Sequence, residues 1–180
     1  QGKQQTFVLL EEWVQPQPVI LQAEAFHKLA SLYFQSHGPA TIDDFMWWSG
    51  LTKREAQEAA IGLPLMKEVV EKKTYYFFDG KVGPNKASTF LIPVYDEYTV
   101  AYKDRSAILH ARFTEISGNG IFSAGVLIDG KLAGTWRRTF QRDRVDIDVK
   151  LFEPASIAEI QRITKAAKMF GDFLGMAVNL

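Results

Sequence analysis

Apolar side chains recur along this chain with two different periods, and the change of period separates a helical first part from a β-rich second part. From Leu21, the positions Leu21, Ala25, Leu29, Leu32 and Tyr33 fall on one helical face. His37-Gly38, with Pro39 just beyond, is a stop signal, because glycine tolerates the reversed cap and proline has no amide hydrogen to continue the ladder. Thr41 then stands where it can cap a second helix, with Asp43 and Asp44 in the first turn, where the macrodipole favours negative charge. Phe45, Met46, Trp47 and Trp48 supply its buried face, and Ser49-Gly50 ends it. Thr52-Lys53-Arg54-Glu55 has the form of a capping box, in which Thr and Glu reciprocally satisfy orphan amides, and opens a third helix reaching Ala60. Long helix, short helix, tight glycine turn and short helix is helix-turn-helix spacing. The runs 65–73 and 74–79, rich in Val, Tyr and Phe, predict a hairpin that packs back as a wing.

Residues 1–20 read as a tether with a short strand-like run at 6–10, since Pro16 and Pro18 exclude a helix interior. The polar loop 80–88 marks a domain boundary. Beyond it, 89–102 is a long apolar-aromatic run interrupted by Pro93. Runs 121–128 and 132–140 flank Asp129-Gly130, the signal for a two-residue type I′ hairpin turn. In 144–152, Val145, Ile147, Val149 and Leu151 lie on one strand face and Asp146, Asp148 and Lys150 on the other. An amphipathic helix over 156–174 closes the chain. The fold class predicted is α+β: a winged helix (three helices plus a β-hairpin wing) at 21–80, then at 89–180 an antiparallel β-sheet or small barrel with a C-terminal helix.

Composition narrows the function classes. No run of eighteen apolar residues exists, so no transmembrane helix is expected. The polar start Gln1-Gly2-Lys3-Gln4-Gln5, without Met or a signal-peptide pattern, reads as truncation of a longer chain. The absence of cysteine excludes disulfides, thiolate nucleophiles and cysteine-ligated zinc, and fits a reducing cytoplasm. His27, His37 and His110 never fall four residues apart, so a metal site of the common His-rich kind is not expected, and no cofactor is assigned. A net charge of zero argues against a nucleic-acid partner, but the charges are unevenly placed. Residues 1–60 carry four basic and seven acidic side chains, whereas residues 61–150 carry fourteen and eleven.

The start of the third helix is the first candidate site. Thr52, Lys53, Arg54 and Gln57 stand where a recognition helix meets base edges and phosphates of double-stranded DNA. The alternative is a solvated helix start in a protein-docking winged helix. Lys67, Lys72 and Lys73 on the wing are competent for backbone phosphates, or for guarding a strand edge against pairing. Arg137, Arg138 and Arg142, with Arg144, form the densest basic run, suited to a DNA groove or to a salt-bridged edge with Asp143 and Asp146. Asp96, Glu97 and Asp104 are the carboxylates open to acid–base work, but neighbouring strand residues point to opposite faces. A buried Asp–Arg pair joining the sheet to the helical part is the preferred reading, and no catalytic residue is assigned. Trp47 and Trp48 read as core rather than as base-stacking platforms.

The run His37-Gly38-Pro39-Ala40-Thr41-Ile42-Asp43-Asp44-Phe45-Met46-Trp47-Trp48-Ser49-Gly50-Leu51-Thr52 resembles the bacterial winged-helix proteins of the AlkZ-like DNA glycosylase family. So do Leu91-Ile92-Pro93-Val94-Tyr95-Asp96-Glu97-Tyr98, Tyr102-Lys103-Asp104-Arg105, and Ile128-Asp129-Gly130 with Gly134-Thr135-Trp136-Arg137-Arg138, all in the family's order. The resemblance implies tandem winged helices forming a DNA channel, followed by a β-rich C-terminal domain, in proteins some of which excise alkylated or crosslinked bases. It also implies that the catalytic Gln-x-Gln motif belongs to an N-terminal winged-helix region ahead of these blocks. Gln15-Pro16-Gln17 departs from that motif, whose middle residue is aliphatic, and lies in a proline-rich stretch. The expectation is therefore a DNA-binding portion of a base-excising protein, partnered by duplex DNA and by that N-terminal region, with no glycosylase activity of its own. A structural scaffold without DNA affinity is the alternative.

Overall fold

Residues 6–16, 18–80, 86–109 and 123–180 are described by a computed structural model. The strand expected at 6–10 is replaced by a single helical turn, α1 (Leu10–Trp13), with the apolar side chains of Phe7, Leu10 and Trp13 exposed. A strand needs a partner for its amides, and none lies alongside this segment among the described residues.

Three helices follow: α2 (Gln22–His37), α3 (Ile42–Ser49) and α4 (Lys53–Ala60). Both short helices start on complete capping boxes. Thr41 Oγ1 accepts the Asp44 amide at 3.1 Å while the Asp44 carboxylate accepts the Thr41 amide at 2.9 Å, and Thr52 and Glu55 repeat the exchange. Such a cap is worth about 1 kcal/mol, enough to fix the start of an eight-residue helix that would be marginal alone. Gly50, at φ 74°, ends α3 in the left-handed region that favours glycine. Ala30, Tyr33, Phe34, Ala40, Phe45, Ala56 and Ala59 form the core, the alanines letting the helices approach around the three rings. Burying Phe34 and Phe45 stabilises the unit by about 2–3 kcal/mol each.

Two strands, β1 (Leu65–Val70) and β2 (Lys73–Phe78), form an antiparallel hairpin that lays Tyr76 and Phe78 against this core. Ala40 and Tyr76 exchange two backbone hydrogen bonds, at 3.1 and 2.8 Å, so the hairpin is tied to the turn between α2 and α3.

The run 89–102 is not one strand. It splits into β3 (Thr89–Ile92), a turn after Pro93, and α5 (Glu97–Val100), whose first turn is capped by the Asp96 carboxylate accepting the Tyr98 amide at 3.0 Å. This connector docks on the helical unit. The buried Tyr33 hydroxyl donates to Ala101 O at 3.1 Å, Tyr102 donates to His37 O at 2.9 Å, and Trp47 Nε1 donates to Val100 O at 2.9 Å. Trp48 Nε1 donates to Glu97. The two indoles differ: Trp47 is half exposed, whereas Trp48 packs against the core with its ring 5.1 Å from that of Tyr33, and both clamp the connector through their N–H groups.

The second sheet runs β3-β4-β5-β6-β7, with β4 (Gly125–Ile128), β5 (Lys131–Phe140), β6 (Arg144–Leu151), α6 (Ile157–Leu174) and β7 (Ala177–Asn179). β4 and β5 join through Asp129-Gly130, at φ 50° and 81°, the positive pair a type I′ turn requires. Val126, Ile128, Trp136, Val145 and Ile147 pack under Ile163 and Ala167 of α6. Two expectations change here. β7 pairs parallel to β6, because the helix between them carries the chain back to the same end, so the sheet is mixed. Among the described residues the sheet is also open rather than a barrel, with β3 and β7 at its edges. No helix among the described residues is long and apolar enough to cross a membrane.

Candidate functional site

A groove of about 610 Å³ lies where α3, α4, the β1–β2 tip and the connector meet. Lys53 and Gln57, one helical turn apart on α4, form one wall. Lys72, Lys73 and Thr74 come from the hairpin tip, and Lys103 and Asp104 from the connector. Asp43 and Asp44, in the first turn of α3, form the remaining side.

Each wall is fixed by a local device. The hairpin tip turns on Glu71 and Lys72, both at positive φ (48° and 65°), and this two-residue reversal presents Lys72 and Lys73 beside α4. Buried Asp44 anchors the connector: Oδ2 closes the capping box with Thr41, and Oδ1 accepts the amides of Lys103 at 2.9 Å and Asp104 at 3.2 Å. A buried carboxylate with four donors is fully satisfied, so Asp44 is a structural joint.

The side chains on the rim pair across the groove. Lys73 is bonded to Asp104, and Lys103 Nζ stands 3.6 Å from Asp43. The Lys73 ammonium, followed by bonds from Ser106, holds the Asp104 carboxyl well below the usual carboxylate range, and Asp104 raises Lys73 in turn. A carboxylate held this way stays ionised at neutral pH and has no proton to donate, the opposite of what a general acid requires. Asp104 therefore pairs with lysine, not with the arginine expected. Glu97 instead faces Trp48 Nε1 and, at 3.3 Å, His37 Nε2.

The remaining residues singled out along the sequence fall elsewhere. Thr52 is the cap of α4, its hydroxyl engaged with Glu55 at 2.6 Å. Arg54 points away from the groove, toward a small hollow between α2 and α4, with Glu58 Oε1 3.9 Å from its Nε. Lys67 lies over the Tyr76 ring, 5.4 Å from its centroid, and lines a neighbouring hollow that shares Gln57. The arginines do not form one patch. Arg137 and Arg138 are adjacent in β5 and so face opposite sides of the sheet. Arg137 stands across from Asp148 in the β5–β6 register. Arg138 lies on the α6 side, its guanidinium 5.8 Å from the Trp136 and Phe170 centroids. Arg142 sits in the β5–β6 turn, and Arg144 bonds Asp146 at 2.9 Å. Gln15-Pro16-Gln17 ends on a residue outside those described.

Sequence reading missed Lys103 as a groove residue, and it missed that Asp104 and Asp43 face lysines. Their partners lie from 31 to 60 residues away along the chain, and no local pattern signals such pairs. Among the described residues, no three His, Cys, Asp or Glu side chains gather as metal ligands would.

The family model described as DNA glycosylase AlkZ-like matches residues 1–173. Among solved structures, the Streptomyces sahachiroi DNA glycosylase AlkZ is similar, with a TM-score of 0.71 and 20% sequence identity. The match covers 91% of this chain and 47% of that one, so this chain spans about half the length of that protein. No curated protein matches.

Proposed function

The chain belongs to the AlkZ-like DNA glycosylase family, and from that premise we propose that it is a positioning module that grips double-stranded DNA. In this reading residues 21–80 are a winged helix, with α4 the recognition helix and the β1–β2 hairpin its wing, and residues 89–180 are a β domain that buttresses it. The base-excising chemistry belongs to a further winged-helix region of a longer protein, and no residue described above is assigned to it.

One observation carries the reading. Lys53 and Gln57 at the start of α4 share a groove with Lys72 and Lys73 of the hairpin tip, although nearly twenty residues separate them. Lysine supplies a point charge to backbone phosphate, and glutamine can meet an adenine edge. Contacts dominated by phosphate predict binding that is salt-sensitive and weakly sequence-selective. Titrating a short labelled duplex by fluorescence anisotropy at several salt concentrations tests it. Affinity should fall steeply with salt, and Lys53→Ala should flatten the log–log slope by about 0.9 if the lysine neutralises one phosphate. Binding indifferent to salt, or unchanged in Lys53→Ala/Lys72→Ala, sinks the proposal.

A second reading has its own observation. Phe7, Trp13, Val19 and Leu21 are each more than three-quarters exposed, an unusual amount of apolar surface for one segment. A protein-docking scaffold would use that segment and would show no affinity for DNA at low salt.

A further inference from the structure

The groove holds its own competitors for phosphate. Lys73 and Lys103 are each committed to an aspartate of the same chain, Asp104 and Asp43. Lys53 lines the same groove from α4 and Lys72 from the hairpin tip, and neither is in an ion pair with Asp43 or Asp104. We propose that Asp104 and Asp43 act as built-in phosphate mimics, so that duplex DNA is held by exchange: a backbone phosphate displaces the carboxylate from Lys73, and another displaces Asp43 from Lys103. The inference rests on the DNA-gripping reading and concerns how that grip is tuned.

Three observations converge on it. Both carboxylates belong to the groove wall itself, so a phosphate that reaches these ammonium groups must meet them. Neither is needed to hold the connector in place, because buried Asp44 binds the backbone amides of Lys103 and Asp104 independently of both side chains. The lysine–aspartate pairs are also largely solvent-exposed, with side-chain exposures of 47% and 38% for Lys73 and Asp104 and of 60% and 58% for Lys103 and Asp43. Pairs this exposed are weak, so a polyanion can take the ammonium at small cost. The consequence is a lowered affinity for any single stretch of backbone, which suits a module that must release undamaged DNA.

The test uses the chain with Asp104→Asn and Asp43→Asn, singly and together. Asparagine keeps the acceptor that Asp104 Oδ1 presents to the Ser106 amide at 3.0 Å, so the local turn is retained. Each variant is titrated with the same labelled duplex at low salt, beside Asp172→Asn on α6 as a remote loss of one negative charge. Affinity should rise about two- to fivefold in each groove variant, and less in Asp172→Asn. The gain from Asp104→Asn should vanish in a Lys73→Ala background, because there is no ammonium left to release. A gain that persists without Lys73, or that Asp172→Asn matches, overturns the mimic role in favour of a general charge effect. If the unaltered chain binds in a Lys53-dependent way and Asp104→Asn brings no gain, the inference fails while the DNA-gripping reading stands. Should neither the unaltered chain nor any groove variant bind, both fall; binding by the groove variants alone supports the mimics.

Discussion

The helical unit and the sheet unit each carry a group of basic side chains, and the two groups are organised in opposite ways. Lys53, Lys72 and Lys103 are scattered along the sequence, yet a helix start, a hairpin tip and a connector turn bring them to one groove. Arg137 and Arg138 are sequence neighbours, yet strand alternation sends them to opposite faces, one beside Asp148 and the other over the aromatic rings of Trp136 and Phe170. Charge density along a chain is therefore a poor guide to charge density on a surface. A strand halves any consecutive cluster, whereas turns at the ends of packed elements gather distant residues.

The largest effect should come from removing the joint that assembles the groove. Asp44→Ala removes a capping box and leaves the amides of Lys103 and Asp104 without their acceptor, and should cost about 3 kcal/mol or more. The sheet unit has the same motif without the extra partners: Ser156 caps α6 through Glu159, and Ser156→Ala should cost only about 1 kcal/mol. Urea unfolding midpoints of the two variants measure the difference, and equal losses would mean that Asp44 is only a cap.

Charge reversal compares the two basic groups directly. Lys53→Glu/Lys72→Glu should weaken duplex binding about tenfold or more at low salt, and Arg137→Glu/Arg142→Glu about twofold. The reverse ranking in an anisotropy titration would move the interface to the sheet unit.

Alkali should also separate the units. All six tyrosines precede residue 103, and burial raises the phenol of Tyr33 above its usual value, with Tyr98 and Tyr102 raised in the same sense. The folded chain then binds these protons more tightly than the unfolded chain. The tyrosine contribution to stability is therefore fully present below about pH 10 and is lost as the pH rises past it. Tyr33→Phe should lose about 1 kcal/mol at neutral pH, from the bond to Ala101 O, and should show a shallower alkaline decline. Chemical denaturation at stepped pH reads both effects, and an unchanged alkaline slope in Tyr33→Phe would contradict the assignment.

The smallest effect concerns the two hairpin turns. Asp129-Gly130 suits its positive φ pair, whereas Glu71-Lys72 places two long side chains in the same kind of turn. Glu71→Asn should stabilise the helical unit by several tenths of a kcal/mol, visible as a small upward shift in Tm. A downward shift would show that Glu71 has a favourable contact outweighing its backbone strain.

Much of this architecture was legible from local pattern. The capping sequences at Thr41, Thr52 and Ser156 mark three helix starts, the Asp129-Gly130 dipeptide marks a turn, and the alternation from Val145 to Leu151 marks a strand and its buried face. Failures came where apolar character was taken as burial or as strand. Trp47 is half exposed and uses its indole N–H to hold the connector, and the aromatic run after Pro93 becomes a capped helical turn. The last strand, Ala177–Asn179, is too short to announce itself and exists because α6 returns the chain alongside β6. Of the candidate site, Lys53, Gln57, Lys72 and Lys73 were legible as types of residue in exposed positions, while the place of Lys103 and the pairing of Asp43 and Asp104 with lysines were not.

Helix starts, two-residue turns and the apolar faces of strands can be read from the chain alone, because caps, positive-φ turns and side-chain periodicity act over a few residues. Which charges share a groove, what each arginine of β5 packs against, and the tie from buried Asp44 on α3 to a connector sixty residues away emerge in the folded molecule. Those outcomes depend on packing between elements, where a hydrogen bond or an ion pair is set by the relative placement of whole helices and strands and leaves no local trace in the chain.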